Sequence, residues 1–152
     1  MTDIAVLADI HANYRALQAV SKEIAEWHPD RVYVLGDSIN RGPRSEDCLA
    51  FLLRKQQHEG WHLLQGNHEE YVLRFEGEEV PRQGPEFEIL RFVHWTYQRL
   101  SMSDIQQVKD FPARIDHHLP SGQHFRAVHA SMAGNRTGIY PETPQERLPG
   151  LI

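Results

Sequence analysis

The chain is predicted to be an α/β protein built on a parallel sheet, and three observations carry that expectation. Short apolar runs alternate with stretches of helical spacing through the first half, in the order strand–helix–strand–helix–strand. Each run ends in a polar, mostly Gly-bearing stretch of the kind that leads a strand into a crossover connection. Near the C-terminus two further runs flank Pro120-Ser121-Gly122 and read as a hairpin.

Ile4 to Ala8 is a continuous apolar run, which predicts a strand covered on both faces. Tyr14, Leu17, Val20, Ile24 and Trp27 recur at three- and four-residue steps, predicting an amphipathic helix that Pro29 ends. Val32 to Leu35 is the second strand. Ser45 is placed to cap a second helix whose apolar stripe is Cys48, Leu49, Leu52 and Leu53. Trp61 to Leu64 supplies a third strand. The stretch from Glu76 to Gly84 is polar, broken by Pro81 and read as a loop, its acidic Glu76, Glu78 and Glu79 solvated. Phe87, Leu90, Val93, Tyr97 and Leu100 return to helical spacing, and a short helix follows from about Ser103 to Asp110. The hairpin then pairs Arg114 to Leu119 with Gln123 to His129.

A chain of 152 residues is one domain's worth, so residues 1–152 are read as a single domain. A net charge of -5 argues against a surface that coats nucleic acid. Cys48 has no second cysteine to pair with, which suits a reducing compartment. There is no basic leader and no apolar stretch near the roughly 18 residues of a membrane span, so the expectation is a cytoplasmic protein.

Four polar signatures follow these strands: Asp9-Ile10-His11, Gly36-Asp37 with Arg41-Gly42, Gly66-Asn67-His68-Glu69, and Val128-His129-Ala130. Taken singly, each has a plain explanation. Asp9 could cap the first helix, Asp37 could be a turn aspartate, Asn67 an Asx-turn or helix cap, and His129 a core histidine. Taken together, four strand ends bearing Asp, Asn or His point to one crevice where these groups meet. Mixed carboxylate, amide and imidazole donors suit two divalent ions of the Mn, Fe or Zn type. His117, His118 and His124 on the hairpin could add ligands, while His28, His58, His62 and His94 lack a ligand-like context. Cys48 lies on an apolar stripe and reads as core.

In this order the signatures resemble the calcineurin-like metallophosphoesterase superfamily, with the Arg41-Gly42 and Gly66-Asn67-His68-Glu69 elements similar to its branch of Ser/Thr protein phosphatases and diadenosine tetraphosphate hydrolases. The resemblance implies a two-sheet β-sandwich flanked by helices and hydrolysis of phosphate esters by a hydroxide generated between two metals. It implies Asp9 and His11 on the first metal, Asp37 bridging, and Asn67 and His129 on the second. His68 would protonate the leaving oxygen and Arg41 would grip phosphate oxygens. Phosphoprotein, nucleotide and small-molecule esters are all compatible substrates.

Two departures stand out. The family's last histidine motif has no counterpart, because residues 130–152 contain no His, and the chain ends on the apolar Leu148, Leu151 and Ile152. This predicts a C-terminally incomplete domain with its last strands missing and a sheet edge open to self-association. The second is Asn40, where phosphoprotein phosphatases carry an Asp that pairs with the catalytic His. The competing expectation is therefore a catalytically impaired fragment acting as a binding or regulatory module, or without independent function.

Overall fold

The computed structural model describes residues 2–75, 81, 83–120 and 122–152, with residue 89 by its backbone alone. Glu76, Glu78 and Glu79 of the expected acidic loop, and Ser121 of the expected turn, lie outside them.

Strands β1 (Ile4–Leu7), β2 (Arg31–Val34) and β3 (His62–Leu63) form a parallel sheet in the order β1-β2-β3. Helix α1 (Tyr14–Trp27) connects the first pair of strands and α2 (Ser45–Glu59) the second. Three helices follow, α3 (Asn67–Arg74), α4 (Pro85–Arg99) and α5 (Met102–Lys109). An antiparallel hairpin of β4 (Arg114–His118) and β5 (His124–Val128) comes next, and a 3-10 turn at Gln145–Gly150 closes the chain.

The period-two alternation of strands decides what covers each face of the parallel sheet. Ala5, Leu7, Val32, Val34 and Leu63 point to the helices and share one core with Leu17, Ile24, Leu49, Leu52, Val72, Val93 and Ile105. Tyr33 points the other way and packs with Leu64, Ala127, Ile115 and Phe125, so the hairpin covers the second face. Two sheets with helices outside the larger one match the expected architecture.

Several local expectations are corrected. The first strand is not covered on both faces: β1 lies at the sheet's edge, and Val6 is 52% exposed. Val20 and Trp27 of the predicted α1 stripe are exposed as well, while Leu17 and Ile24 are buried in the core and Tyr14 packs against its edge. Asp9 does not cap α1; the Asn13 side chain does, accepting from Ala16 N at 3.2 Å. Ser45 does not cap α2 but begins it, and its hydroxyl instead accepts from Asn40 N at 3.1 Å. Asn67 is likewise the first residue of α3, with Gly66 in the cap position.

Candidate metal centre

Parallel strands deliver their C-terminal ends to the same sheet edge, where a crevice opens. The loops leaving β1 and β2 are stitched together there by backbone hydrogen bonds, His11 N donating to Asp37 O at 2.8 Å and Ala12 N to Ser38 O at 3.0 Å. The β2 and β3 loops approach so closely that a Cβ on Gly36 would strike the backbone of Gly66, and one on Gly66 would strike the Asp37 carboxylate. The signature glycines are therefore steric requirements of the crossing, and Gly36, at φ +82°, also needs the left-handed region.

Strain concentrates in the same place. Among the described residues seven non-glycines have positive φ, and six of them are Asp9, His11, Ala12, Asp37, Asn40 and Arg41; the seventh, His28, caps α1. Such backbone is costly, and persists where surrounding bonds over-determine it. Glu69 supplies many of those bonds. At 1% exposure, its carboxylate accepts from Asp37 N (2.7 Å), Gly66 N (2.8 Å), Ser38 N (2.8 Å) and Ile39 N (3.2 Å). Burial pushes its carboxyl above the ordinary Glu range, and the Asp37 charge adds to that, while the backbone donors oppose it. The sequence assigns Glu69 no role of its own beyond the Gly66-Asn67-His68-Glu69 signature; its local signal is a Glu three positions after the cap position Gly66.

The candidate ligands converge. His11, Asp37 and His68 form one group, and Asp9, Asp37 and His129 another, each with potential donor atoms within 4.8 Å of one another. Asp37, 2% exposed, belongs to both. His11 Nε2 lies 3.6 Å from Asp9 Oδ1 and 3.7 Å from Asp37 Oδ2, and His129 Nε2 lies 3.6 Å from Asp37 Oδ1. These separations are long for hydrogen bonds and ordinary for atoms sharing a cation.

Three observations test whether a divalent ion fits. His11 Nδ1 is buried without a hydrogen-bond partner. His129 Nδ1 lies 2.6 Å from Leu35 O, to which it can only donate, so its Nε2 carries a lone pair. That lone pair faces the Asn67 Oδ1 acceptor at 2.9 Å as well as Asp37. An assembly of acceptors pointed at one another calls for a positive centre, and the mixed donor set suits Mn, Fe or Zn. Asp9, His11, Asp37, Asn67 and His129 could hold it.

His68 is differently engaged. Arg41 Nε donates to its Nε2 at 3.2 Å, and the Asn40 amide lies 2.9 Å from its Nδ1 and 3.1 Å from Thr96 Oγ1 on α4. Arg41 can only donate, so Nε2 is the acceptor and the neutral ring carries its proton on Nδ1. The Asn40 amide then meets that proton with its oxygen and turns its nitrogen to the Thr96 hydroxyl, a half-turn that satisfies every partner. Both ring nitrogens are thus occupied, which suits proton handling better than ligation. Burial pulls His68 down to about 4, with the Asp37 carboxylate opposing and the Arg41 guanidinium adding to the fall. Thr96 carried no sequence signal beyond its place on a helical stretch.

All seven sequence-predicted site residues, Asp9, His11, Asp37, Asn67, His129, His68 and Arg41, therefore gather at one crevice. The hairpin histidines join neither donor group. His117 bonds the Tyr33 hydroxyl, and His124 pairs with Asp116 at 3.0 Å.

The similarities of the chain agree with this geometry. A family model described as calcineurin-like phosphoesterase matches residues 2–134. Over 68 residues the chain is 34% identical to a Caenorhabditis elegans protein bearing a serine/threonine-protein phosphatase name, a match covering 43% of this chain and 19% of that protein. A metallophosphoesterase structure from Sphaerobacter thermophilus superposes with a TM-score of 0.67 at 25% identity, covering 91% of this chain and 51% of the other. A Pyrococcus horikoshii OT3 protein of unassigned function superposes at 0.80 with 17% identity, covering 99% of this chain and 64% of that one, a likeness of fold alone. The chain thus spans about a fifth of the curated relative and half to two thirds of these structures. Among the described residues no helix is long and apolar enough to cross a membrane.

Proposed function

The chain belongs to the calcineurin-like phosphoesterase family, and from that premise we propose that it is a metal-dependent hydrolase of phosphate esters with a dinuclear centre at the sheet's C-terminal edge. The observation that carries the reading is Asp37, a buried carboxylate common to both donor groups. Asp9 and His11 would hold one cation and Asn67 and His129 the other, with Asp37 between them.

Two bound cations would lower the pKa of water and neutralise charge on a phosphoryl group. The remaining work falls to the chain's own side chains. Arg41, half-released from His68 when an anion arrives, offers a guanidinium fork that matches two phosphate oxygens. His68 in its cationic form presents Nε2–H to the leaving oxygen. Asn40 and Thr96 hold the ring's other nitrogen, and Glu69 keeps the strained β2 loop in place.

We assign the preferred metal to manganese or a similar ion, the compartment to the cytoplasm, and self-association to the exposed Val6–Val20 edge beside β1. The test is hydrolysis of 4-nitrophenyl phosphate by the purified chain with Mn, Fe or Zn. Turnover that Asp37→Asn abolishes supports the reading. A metal-free chain that turns over no ester with any of the three points instead to the binding-module alternative.

A further inference from the structure

Beyond His129 the chain does not leave the centre. It turns back and fastens to α3, the helix that carries Asn67 and His68. The turn is tight: Ser131 and Gly134 pair as an antiparallel bridge, and Ala133 N donates to the Ser131 hydroxyl at 3.2 Å. Its outer side is tied to the end of the chain, Met132 N donating to Leu151 O at 2.9 Å. Its far end delivers Asn135, 7% exposed, whose side-chain amide donates to Glu70 Oε1 at 2.9 Å. Arg136 braces the same carboxylate, with Nε 3.4 Å from Glu70 Oε2 and its guanidinium 4.5 Å from the Tyr71 ring centroid.

We propose that Glu70 and Asn135 are positioning residues for the His129 and Asn67 half of the centre, and that their bond sets how tightly that half holds its cation. The inference rests on the two-cation reading above and extends it to residues outside both donor groups.

Helical spacing supplies the argument. Asn67 and Glu70 stand three positions apart on α3 and are therefore neighbours on its surface. The segment after β5 meets that surface at two points, His129 Nε2 against Asn67 Oδ1 at 2.9 Å and Asn135 against Glu70. A second attachment is needed because different layers deliver the two ligands, the hairpin bringing His129 and a helix of the parallel layer bringing Asn67. Such a pair serves a cation only while its spacing is held, and groups that orient ligands typically change metal affinity about 10- to 100-fold. Asp9 and His11 are held differently, on a loop bonded through its backbone to the β2 loop. The energetics also favour placement over stability. Arg136 and Glu70 have side chains 39% and 31% exposed, and an ion pair so open to solvent adds little to folding. Tyr71, beneath Arg136, meets the His68 ring at 86° with centroids 5.4 Å apart, so the fastening borders the proposed proton donor too.

The experiment titrates the metal-free chain with Mn alone and separates bound from free ion by electron paramagnetic resonance, in the parent, Glu70→Ala, Glu70→Gln and Asn135→Ala. The parent should bind two equivalents. Glu70→Ala and Asn135→Ala should each weaken one equivalent about 10- to 100-fold and leave the other within about twofold. The double variant should weaken it little further than either single change, because both remove the same bond. Glu70→Gln keeps an oxygen for the Asn135 amide and should recover part of the loss. Hydrolysis of 4-nitrophenyl phosphate by Glu70→Ala should fall at low Mn and return when Mn is raised about 100-fold, a rescue that a merely structural contact does not give. Two equivalents held by Glu70→Ala as tightly as by the parent would overturn the fastening and leave the two-cation reading intact. Equal weakening of both equivalents would overturn it as well, since the bond would then serve the fold and not one half of the centre. A parent chain that binds no Mn removes the two-cation reading and this inference with it.

Discussion

Histidines gather in two regions of this molecule, the strand-end crevice and the hairpin, and the regions use them in opposite ways. In the crevice His129 aims a lone pair at the Asn67 and Asp37 oxygens, His11 leaves a buried nitrogen unpartnered, and strained backbone beside them is clamped by Glu69. On the hairpin, Tyr33 bonds His117 and stacks on His62 at 4.9 Å, while His124 is matched by Asp116. One region is an unbalanced set of acceptors, the other a set of satisfied contacts between two sheets. A count of histidines does not separate them; the surplus of acceptors and the left-handed backbone do.

The largest effect should come from attacking the crevice's geometry. Gly36→Ala adds left-handed strain and a collision with Gly66, and should cost about 3–5 kcal/mol in urea unfolding. A cost below about 1 kcal/mol would show that the two loops are not locked against each other.

The hairpin counterpart is smaller and leaves the centre alone. His117→Ala removes one of the partners of the buried Tyr33 hydroxyl, Arg31 being the other, and should cost about 0.5–1.5 kcal/mol in unfolding with no change in metal content. Loss of metal in that variant would break the distinction between the regions.

Protons sharpen the contrast. Burial holds His62 below the usual imidazole range, with the neighbouring His117 and the Arg31 guanidinium adding to the effect. The folded state therefore favours the neutral ring, and its contribution to stability is present above the unfolded value of about 6.5 and lost as pH falls below it. His62→Gln should flatten that part of the stability profile; an unchanged slope would contradict the assignment. In the crevice, Asn40→Asp places a carboxylate against His68 and favours its cationic form. The alkaline limb of the rate profile for poor leaving groups, where the proton donor is lost, should move to higher pH, with about tenfold more cationic form at neutral pH for each unit moved. A profile that stays in place would remove His68 as the proton donor.

The mildest prediction concerns Cys48, whose thiol burial pushes up to about 12. It should resist a disulfide reagent in the native chain and react at once in denaturant. Rapid native labelling would mean that the helix-side core opens readily.

Much of this was legible in the sequence because it depends on local pattern. Periodicity marked the strands and helices, and the position of Asp9, Asp37, Asn67 and His129 at strand ends foretold their meeting. What stayed hidden depends on contacts remote in sequence. Glu69 clamps loops some 30 residues away, and Thr96 reaches Asn40 across 56 positions. Ser45 carried a helix-cap signal but serves the Asn40 loop, because a buried backbone N–H five residues upstream needed an acceptor. The exposure of Val6 was equally invisible, since an apolar run does not reveal whether its strand lies at an edge.

The central claim is that one buried carboxylate organises a two-cation site. Metal analysis of the purified, metal-equilibrated chain tests it most directly, with Asp37→Ala and His117→Ala run beside it. The account predicts two equivalents of Mn, Fe or Zn in the parent chain and in His117→Ala, and close to none in Asp37→Ala. A parent chain that holds no metal, or an Asp37→Ala chain that keeps both ions, would contradict it.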